Sequence, residues 1–307
     1  MKPQVETIQS PFGRTLGLYI WQGGNEKKTI VQLVHGMAEH MRRYEGAAGA
    51  LVRAGYTVVG HNHAGHGPEA PEAEHGWFGE KDGWSSLIED IELMRQEAQK
   101  RFPGFKHVLL GHSMGSFAAR EYLIRYGKNL DAAVISGTGW HPKAVCEAGM
   151  AAATLAGKTH GWNKPSPMTA KLVGANSNKN FEPVRTPFDW LSRDTDRVDD
   201  YIADPLCGFL FTARGYYDMF SGLKALSDTS RLSAMPSDLP VYFVSGDMDP
   251  VGAQGKGVRT VYEQFSAAGL SNLTLRLYED GRHEMLNETN REEVYADLIR
   301  WLEGALQ

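Results

Sequence analysis

The 307-residue chain predicts an α/β fold built on a mostly parallel sheet with helices on both faces. Two observations carry this. Short apolar, β-branched runs alternate with longer amphipathic stretches, the pattern of strand-helix-strand units. The runs are apolar at nearly every position, as strands covered on both faces must be.

The chain opens with two extended runs between Val5 and Trp21 around the turn-rich Ser10-Pro11-Phe12-Gly13, which predicts an antiparallel hairpin. Buried strands follow at Thr29 to Val34, Thr57 to Val59, Val108 to Leu110 and Ala132 to Ile135, then at Val241 to Val244 and Leu273 to Leu277. Helical patterns lie between and after them at Arg42 to Ala54, Trp84 to Arg101, Met114 to Tyr126, Gly257 to Ala268 and Arg291 to Leu306. The alternation fails between about Trp140 and Pro240, which are rich in proline and aromatic residues and hold no comparable strand. The expected organisation is a core of residues 1–139 and 241–307, with residues 140–240 inserted as a cap over the ends of the strands.

A net charge of -5 without a basic run gives a phosphate backbone nothing to bind, so no nucleic-acid partner is expected. The N-terminal segment lacks the basic-then-apolar pattern of a signal peptide, and no window reaches the roughly 18 apolar residues of a membrane span. A cytoplasmic location is the expectation. Cys146 and Cys207 are too few for a disulfide framework and read as buried thiols.

Gly111-His112-Ser113-Met114-Gly115 matches G-x-S-x-G and sits between a strand and a helix. A serine on such a sharp turn projects its hydroxyl, and flanking glycines remove side chains that would clash. The pattern alone is also met as a plain glycine-rich turn. The hydroxyl needs a base, and the base needs an acid to fix its tautomer. Asp249 follows the run Val241 to Val244, and His283 follows Leu273 to Tyr278. Ser, Asp, His is then the chain order, with acid and base each just past a strand.

Taken singly His283 is an ordinary loop histidine; the joint placement makes it the candidate base. Asp247 competes for the acid, but Asp249 lies further past the strand and precedes Pro250, which favours an extended turn. For the oxyanion, the backbone N–H of Met114 is one candidate donor and that of Met37, in the loop after Thr29 to Val34, the second.

The segments His35-Gly36-Met37-Ala38-Glu39-His40, Gly65-His66-Gly67, Gly111 to Gly115, Gly246-Asp247-Met248-Asp249-Pro250-Val251 and Arg282-His283-Glu284 together resemble the monoacylglycerol lipase and lysophospholipase-like α/β hydrolases, a group that also carries the serine aminopeptidase label. The resemblance implies the α/β-hydrolase fold, a monoacylglycerol or lysophospholipid as substrate, and no cofactor or metal. One departure stands out. Asn62 and Ala64 occupy positions where such proteins usually have an aspartate and an arginine, so a loop-bracing ion pair is not expected here.

Three further features admit two readings each. His61, His63 and His66, with His75 nearby, are either a metal cluster or loop packing; without carboxylate or cysteine ligands in that loop, packing is expected. Six aspartates from Asp189 to Asp204 either bind a substrate amine or cation, or cap helices and face water, the commoner use. The run from Leu206 to Phe211, continued by Tyr216, Tyr217, Met219 and Phe220, either lines an acyl pocket, with Phe209 and Phe211 as its wall, or forms the insertion's own core.

The expected activity is hydrolysis of a carboxylic ester with a hydrophobic acyl chain, through an acyl-enzyme on Ser113. The alternatives are an aminopeptidase-type amide hydrolase, motivated by the acidic segment, and a non-catalytic binding protein on the same fold. Dehalogenase and epoxide-hydrolase chemistry would want an aspartate at Ser113.

Overall fold

The computed structural model describes residues 1–174 and 177–307. Its centre is one eight-stranded sheet: β1 (Gln4–Gln9), β2 (Thr15–Trp21), β3 (Thr29–Val34), β4 (Thr57–His61), β5 (Lys106–His112), β6 (Ala132–Ser136), β7 (Val241–Gly246) and β8 (Leu273–Tyr278). The spatial order is β1-β2-β4-β3-β5-β6-β7-β8. The opening hairpin pairs antiparallel, β2 joins β4 antiparallel, and every later pairing is parallel. Strands β3 to β7 are buried at nearly every position, whereas the edge strand β8 alternates, so the continuous apolar runs are the central strands.

Alternate residues of each strand feed two different cores. Val108, Leu110, Val134, Tyr242 and Val244 pack on one face, against α1 (Glu45–Arg53) and α9 (Arg291–Ala305). Leu109, Ala133, Ile135, Val241 and Phe243 point to the other face, against α2 (Gly83–Arg101), α3 (Met114–Tyr126) and α8 (Lys256–Ala267). The stretch expected as one helix from Arg42 divides into a 3-10 turn, Met41–Tyr44, and then α1.

Between β6 and β7 the chain forms α4 (Lys143–His160), α5 (Pro167–Gly174), α6 (Thr195–Ala203) and α7 (Ala213–Leu226). Asp194 caps α6, its carboxylate accepting from the N–H groups of Asp196 and Arg197, and Thr212 caps α7 through the N–H of Gly215. Among the described residues of this insertion no strand joins the sheet. Its helices α4 and α7 pack on each other, and α7 also lies against α2 and α3.

Candidate active site

The site is built where β3, β5, β7 and β8 end. Ser113 stands between β5 and α3 with φ 55° and ψ −122°, outside the ordinary regions for a residue with a side chain. The neighbours that hold it there are glycines. A Cβ at Gly115 would overlap the carbonyl of Val34, and one at Gly111 would overlap the backbone of Gly115, so the first turn of α3 sits directly on the strand ends. The Ser113 N–H donates to the Ser136 carbonyl at 2.9 Å, and the Ser113 carbonyl accepts from the Ser116 N–H at 2.8 Å. The side chain remains partly exposed.

Asp249 and His283 meet. The His283 Nδ1–H donates to Asp249 Oδ1 at 2.9 Å, since an ionised carboxylate can only accept. Asp249 is fully buried, and its remaining capacity is used by the Val251 N–H at 2.9 Å and the Ser245 hydroxyl at 3.2 Å. Two backbone bonds fix the acid loop to the end of β8: Asp247 N–H to the Tyr278 carbonyl and Met248 N–H to the Gly281 carbonyl, both 3.0 Å. That close approach requires Gly246, where a Cβ would overlap the Gly281 carbonyl. Asp247 makes no side-chain hydrogen bond to His283, and its Oδ1 is buried without a partner.

Burial disfavours a charged imidazolium, but the Asp249 carboxylate outweighs it, so the His283 pKa lies above the ordinary histidine value; Glu284 and Glu39 add to the effect. The His283 ring lies 4.8 Å from that of His112, the residue before Ser113, and a Cβ on Gly137 would come within 3.1 Å of it. The residue before Ser113 is thereby in ring contact with His283, and no hydrogen bond joins Ser113 Oγ to His283 Nε2. Such bonds are commonly long in unliganded enzymes and tighten with substrate.

The loop after β3 lies beside the serine: a Cβ on Gly36 would stand 3.0 Å from that of Ser113. The next N–H, that of Met37, has no acceptor among the described residues, and that of Met114 lies in the first turn of α3, where no carbonyl four residues back belongs to the helix. Glu39 shapes this loop, its Oε1 accepting from the Gly36 N–H at 2.6 Å and from the Tyr44 hydroxyl at 2.8 Å. Arg43 then joins Glu39, at 2.6 Å, to Glu284, at 2.7 Å through each of two nitrogens. Glu39 and Glu284 lay in the motif segments read from the sequence, and Arg43 follows Glu39 by four residues across the extended His40 that opens the 3-10 turn. The three had not been singled out.

Asn62 takes up the bracing expected to be lost. Its amide donates to Glu69 at 2.7 Å and to the Tyr19 hydroxyl at 3.1 Å, while its oxygen accepts from the Met41 N–H at 2.7 Å. His61, His63 and His66 pack ring against ring with His35, the 35–63 centroids being 4.1 Å apart. Burial pushes the pKa values of His61 and His66 down to about 3, and those of His35 and His63 well below the ordinary value.

Among the described residues, the one group of three with potential metal-ligand atoms within 4.8 Å is elsewhere: His40, Asp204 and Cys207. There His40 already bonds Asp204 at 2.8 Å, and burial pushes the Cys207 thiol well up. Cys207 is half-buried rather than buried as expected; Cys146 is buried.

The acidic segment is largely engaged. Asp189 accepts from the N–H groups of Arg185 and Thr186, Asp194 caps α6 and pairs with Arg291, and Asp204 holds His40. Asp199 pairs with Arg185 and Asp200 with Arg197 at the surface. Of the two aromatic wall candidates, Phe211 has no exposed surface: it is packed among His66, Phe78 and Tyr216 and offers nothing to an acyl chain. Of the two readings of this run, the structure places Phe211 in the packed interior. Phe209 is half-buried against His66 and His75.

Residues 25–290 match the family model described as Hydrolase_4, serine aminopeptidase S33. The chain belongs to this family of α/β hydrolases. It is 27% identical over 286 residues to the monoacylglycerol lipase of Mycolicibacterium smegmatis, covering 92% of this chain and 91% of the relative. It is 26% identical over 303 residues to human monoglyceride lipase, covering 94% and 87%. Among solved structures, a thermostable carboxyl esterase from Bacillus coagulans aligns over 100% of both chains with a TM-score of 0.92 and 28% identity. No helix among the described residues is long and apolar enough to cross a membrane.

Proposed function

We propose that this family member is a serine hydrolase that cleaves esters of hydrophobic acyl chains, of the monoacylglycerol or lysophospholipid kind, through an acyl-enzyme on Ser113. The observation that carries the reading is the buried Asp249–His283 pair beside a serine held at positive φ. In this mechanism His283 takes the Ser113 proton as the hydroxyl attacks the carbonyl carbon. Asp249 holds the Nδ1–H tautomer and stabilises the imidazolium. The oxyanion receives the N–H groups of Met37 and Met114. His283 returns the proton to the departing alcohol, and water repeats the sequence to release the acid.

Residues 140–240 are assigned as the cap, with Phe209 as the remaining aromatic candidate for the acyl wall. The similarity to monoacylglycerol lipases over nearly the whole chain supports the ester class. The aminopeptidase alternative rested on free carboxylates in the cap, and five of the six aspartates there already hold a hydrogen bond or ion pair.

The test is a panel of acyl esters and aminoacyl-arylamides with fluorophosphonate labelling, run on wild type and Ser113→Ala. Ester turnover and labelling are expected in wild type, with a loss in the variant of about 10⁴- to 10⁶-fold in kcat. A wild type that cleaves only the arylamides, or a variant retaining more than a few percent of activity, would refute the proposal.

A further inference from the structure

The acidic stretch of the cap contains a short 3-10 turn, Asp189–Leu191, that lies against the loop carrying His283. The contact is made of backbone as much as side chain. The His283 N–H donates to the Trp190 carbonyl at 3.3 Å, and the Glu284 N–H to the Leu191 carbonyl at 2.7 Å. Arg282 donates to the carbonyls of Asp189 and Ser192. From the other side Glu288 accepts from the backbone N–H groups of Arg193, at 3.0 Å, and Arg282, at 3.1 Å, and from the Arg193 side chain at 3.1 Å. The Ser192 hydroxyl donates to the Asn287 carbonyl at 3.1 Å. The Trp190 indole, half-buried, lies over the His283 imidazole with ring centroids 5.0 Å apart and planes inclined at 37°.

His283 is therefore gripped on two sides. Asp249 fixes one ring nitrogen in the plane of the imidazole, and a hydrogen bond alone leaves the ring free to tilt about that bond. The indole packs against the ring, inclined at 37° with centroids 5.0 Å apart, and restricts the tilt. The chain that carries the indole also takes the backbone N–H of His283, so face and anchor move as one piece.

We propose that Trp190 is a positioning residue for His283, and that the turn Asp189–Arg193 is a fixed part of the catalytic apparatus. This rests on the reading of His283 as the base. Ring orientation affects the proton transfer and hence the chemical step, while substrate binding before that step is unaffected. Misplacing a catalytic group by about 1 Å costs on the order of 10²-fold, and loss of one of two restraints is expected to cost about 10-fold or more in kcat.

The experiment compares Trp190→Phe, Trp190→Leu and Trp190→Ala with wild type on a short p-nitrophenyl ester, with the rate of fluorophosphonate labelling as a second readout and near-ultraviolet circular dichroism and the thermal midpoint to establish folding. A flat ring should suffice, so Trp190→Phe is expected to stay within about 3-fold of wild type. Trp190→Leu keeps bulk without a flat face and is expected to lose kcat and labelling rate together at nearly constant KM, as is Trp190→Ala, roughly 10-fold or more. Equal kcat in all four folded proteins would overturn the inference, as would a loss confined to KM or a Leu variant as good as Phe. If the alanine variant does not fold, the Phe and Leu pair decides. A wild type that neither labels nor turns over any ester would instead defeat the proposed function.

Discussion

Arg43 donates two bonds of 2.7 Å to Glu284, the residue next to His283, and a third of 2.6 Å to Glu39, whose other oxygen holds the Gly36 N–H. One guanidinium thus links the loop beside Ser113 to the loop bearing His283. Burial would raise the Glu284 carboxyl, but the Arg43 charge holds it well below the usual carboxylate range. Arg43 also lies over the Tyr201 ring of the insertion, 4.7 Å from its centroid.

Removing that cation leaves two buried carboxylates facing each other. Arg43→Met is expected to destabilise the protein by about 3–5 kcal/mol in urea unfolding, the usual cost of stranding buried charges. The double variant Arg43→Met with Glu284→Gln should recover part of that loss. A single variant within 1 kcal/mol of wild type would mean the bridge contributes little.

Asp249→Asn is expected to lower kcat roughly 10³- to 10⁴-fold near neutral pH, because the amide favours the wrong histidine tautomer. Asp247→Asn should cost far less. The base must be neutral to accept a proton, so activity falls as pH drops through the His283 pKa. The carboxylate raises that pKa, moving the acid limb of kcat/KM above the ordinary histidine value in wild type, and Asp249→Asn should move the limb down. A pH–rate series on both variants checks ranking and direction together.

His35, His61, His63 and His66 are buried with depressed pKa values, so the unfolded chain binds protons that the folded one refuses. Stability is therefore full above about pH 6.5, the unfolded histidine pKa, and declines as pH falls below it. The His61 ring has no partner on either nitrogen among the described residues, which makes His61→Phe the informative change. It should reduce the slope of unfolding free energy below pH 6 by about 1.4 kcal/mol per pH unit, one proton's worth. Urea melts from pH 7 to pH 5 measure it, and an unchanged slope would exclude His61 from the effect.

Phe209 and Phe211 should separate cleanly. Phe211→Ala empties a fully buried site and is expected to cost about 3–5 kcal/mol of stability at every acyl length. Phe209→Ala should leave stability nearer wild type and flatten the gain in kcat/KM with chain length, a gain of about 0.8 kcal/mol per buried methylene. p-Nitrophenyl esters from acetate to laurate, below micelle thresholds, make the comparison. A Phe209 variant that loses all lengths equally would remove it from the acyl wall.

Much of the sheet was legible because its strands are buried on both faces: β5 and β7 contain unbroken apolar runs, β3 one interrupted only by Gln32, and the hairpin reads as two runs around a turn. The insertion's four helices were not legible. Two of them do carry N-cap residues, Asp194 and Thr212, but the buried positions of α4 and α7 answer to each other and to α2 and α3 rather than to a strand next to them in the chain. The Ser113, Asp249 and His283 positions announced themselves through turn chemistry at strand ends. Trp190 gave no such local sign, since its relation to His283 exists only after the insertion folds back on β8.

The order of the strands along the chain bears on how the protein is made. The Ser113 turn and the whole insertion leave the ribosome before β7 and β8, which bring the acid and the proposed base. Strand β7 must pair with β6 across the entire insertion, a long-range closure of the kind that folds slowly. Until the last two strands dock, the nascent chain presents a serine without a partner and an apolar sheet edge at β6. The proposed site and the covered edge arrive together, so on the proposed mechanism hydrolytic competence waits for β7 and β8 to dock.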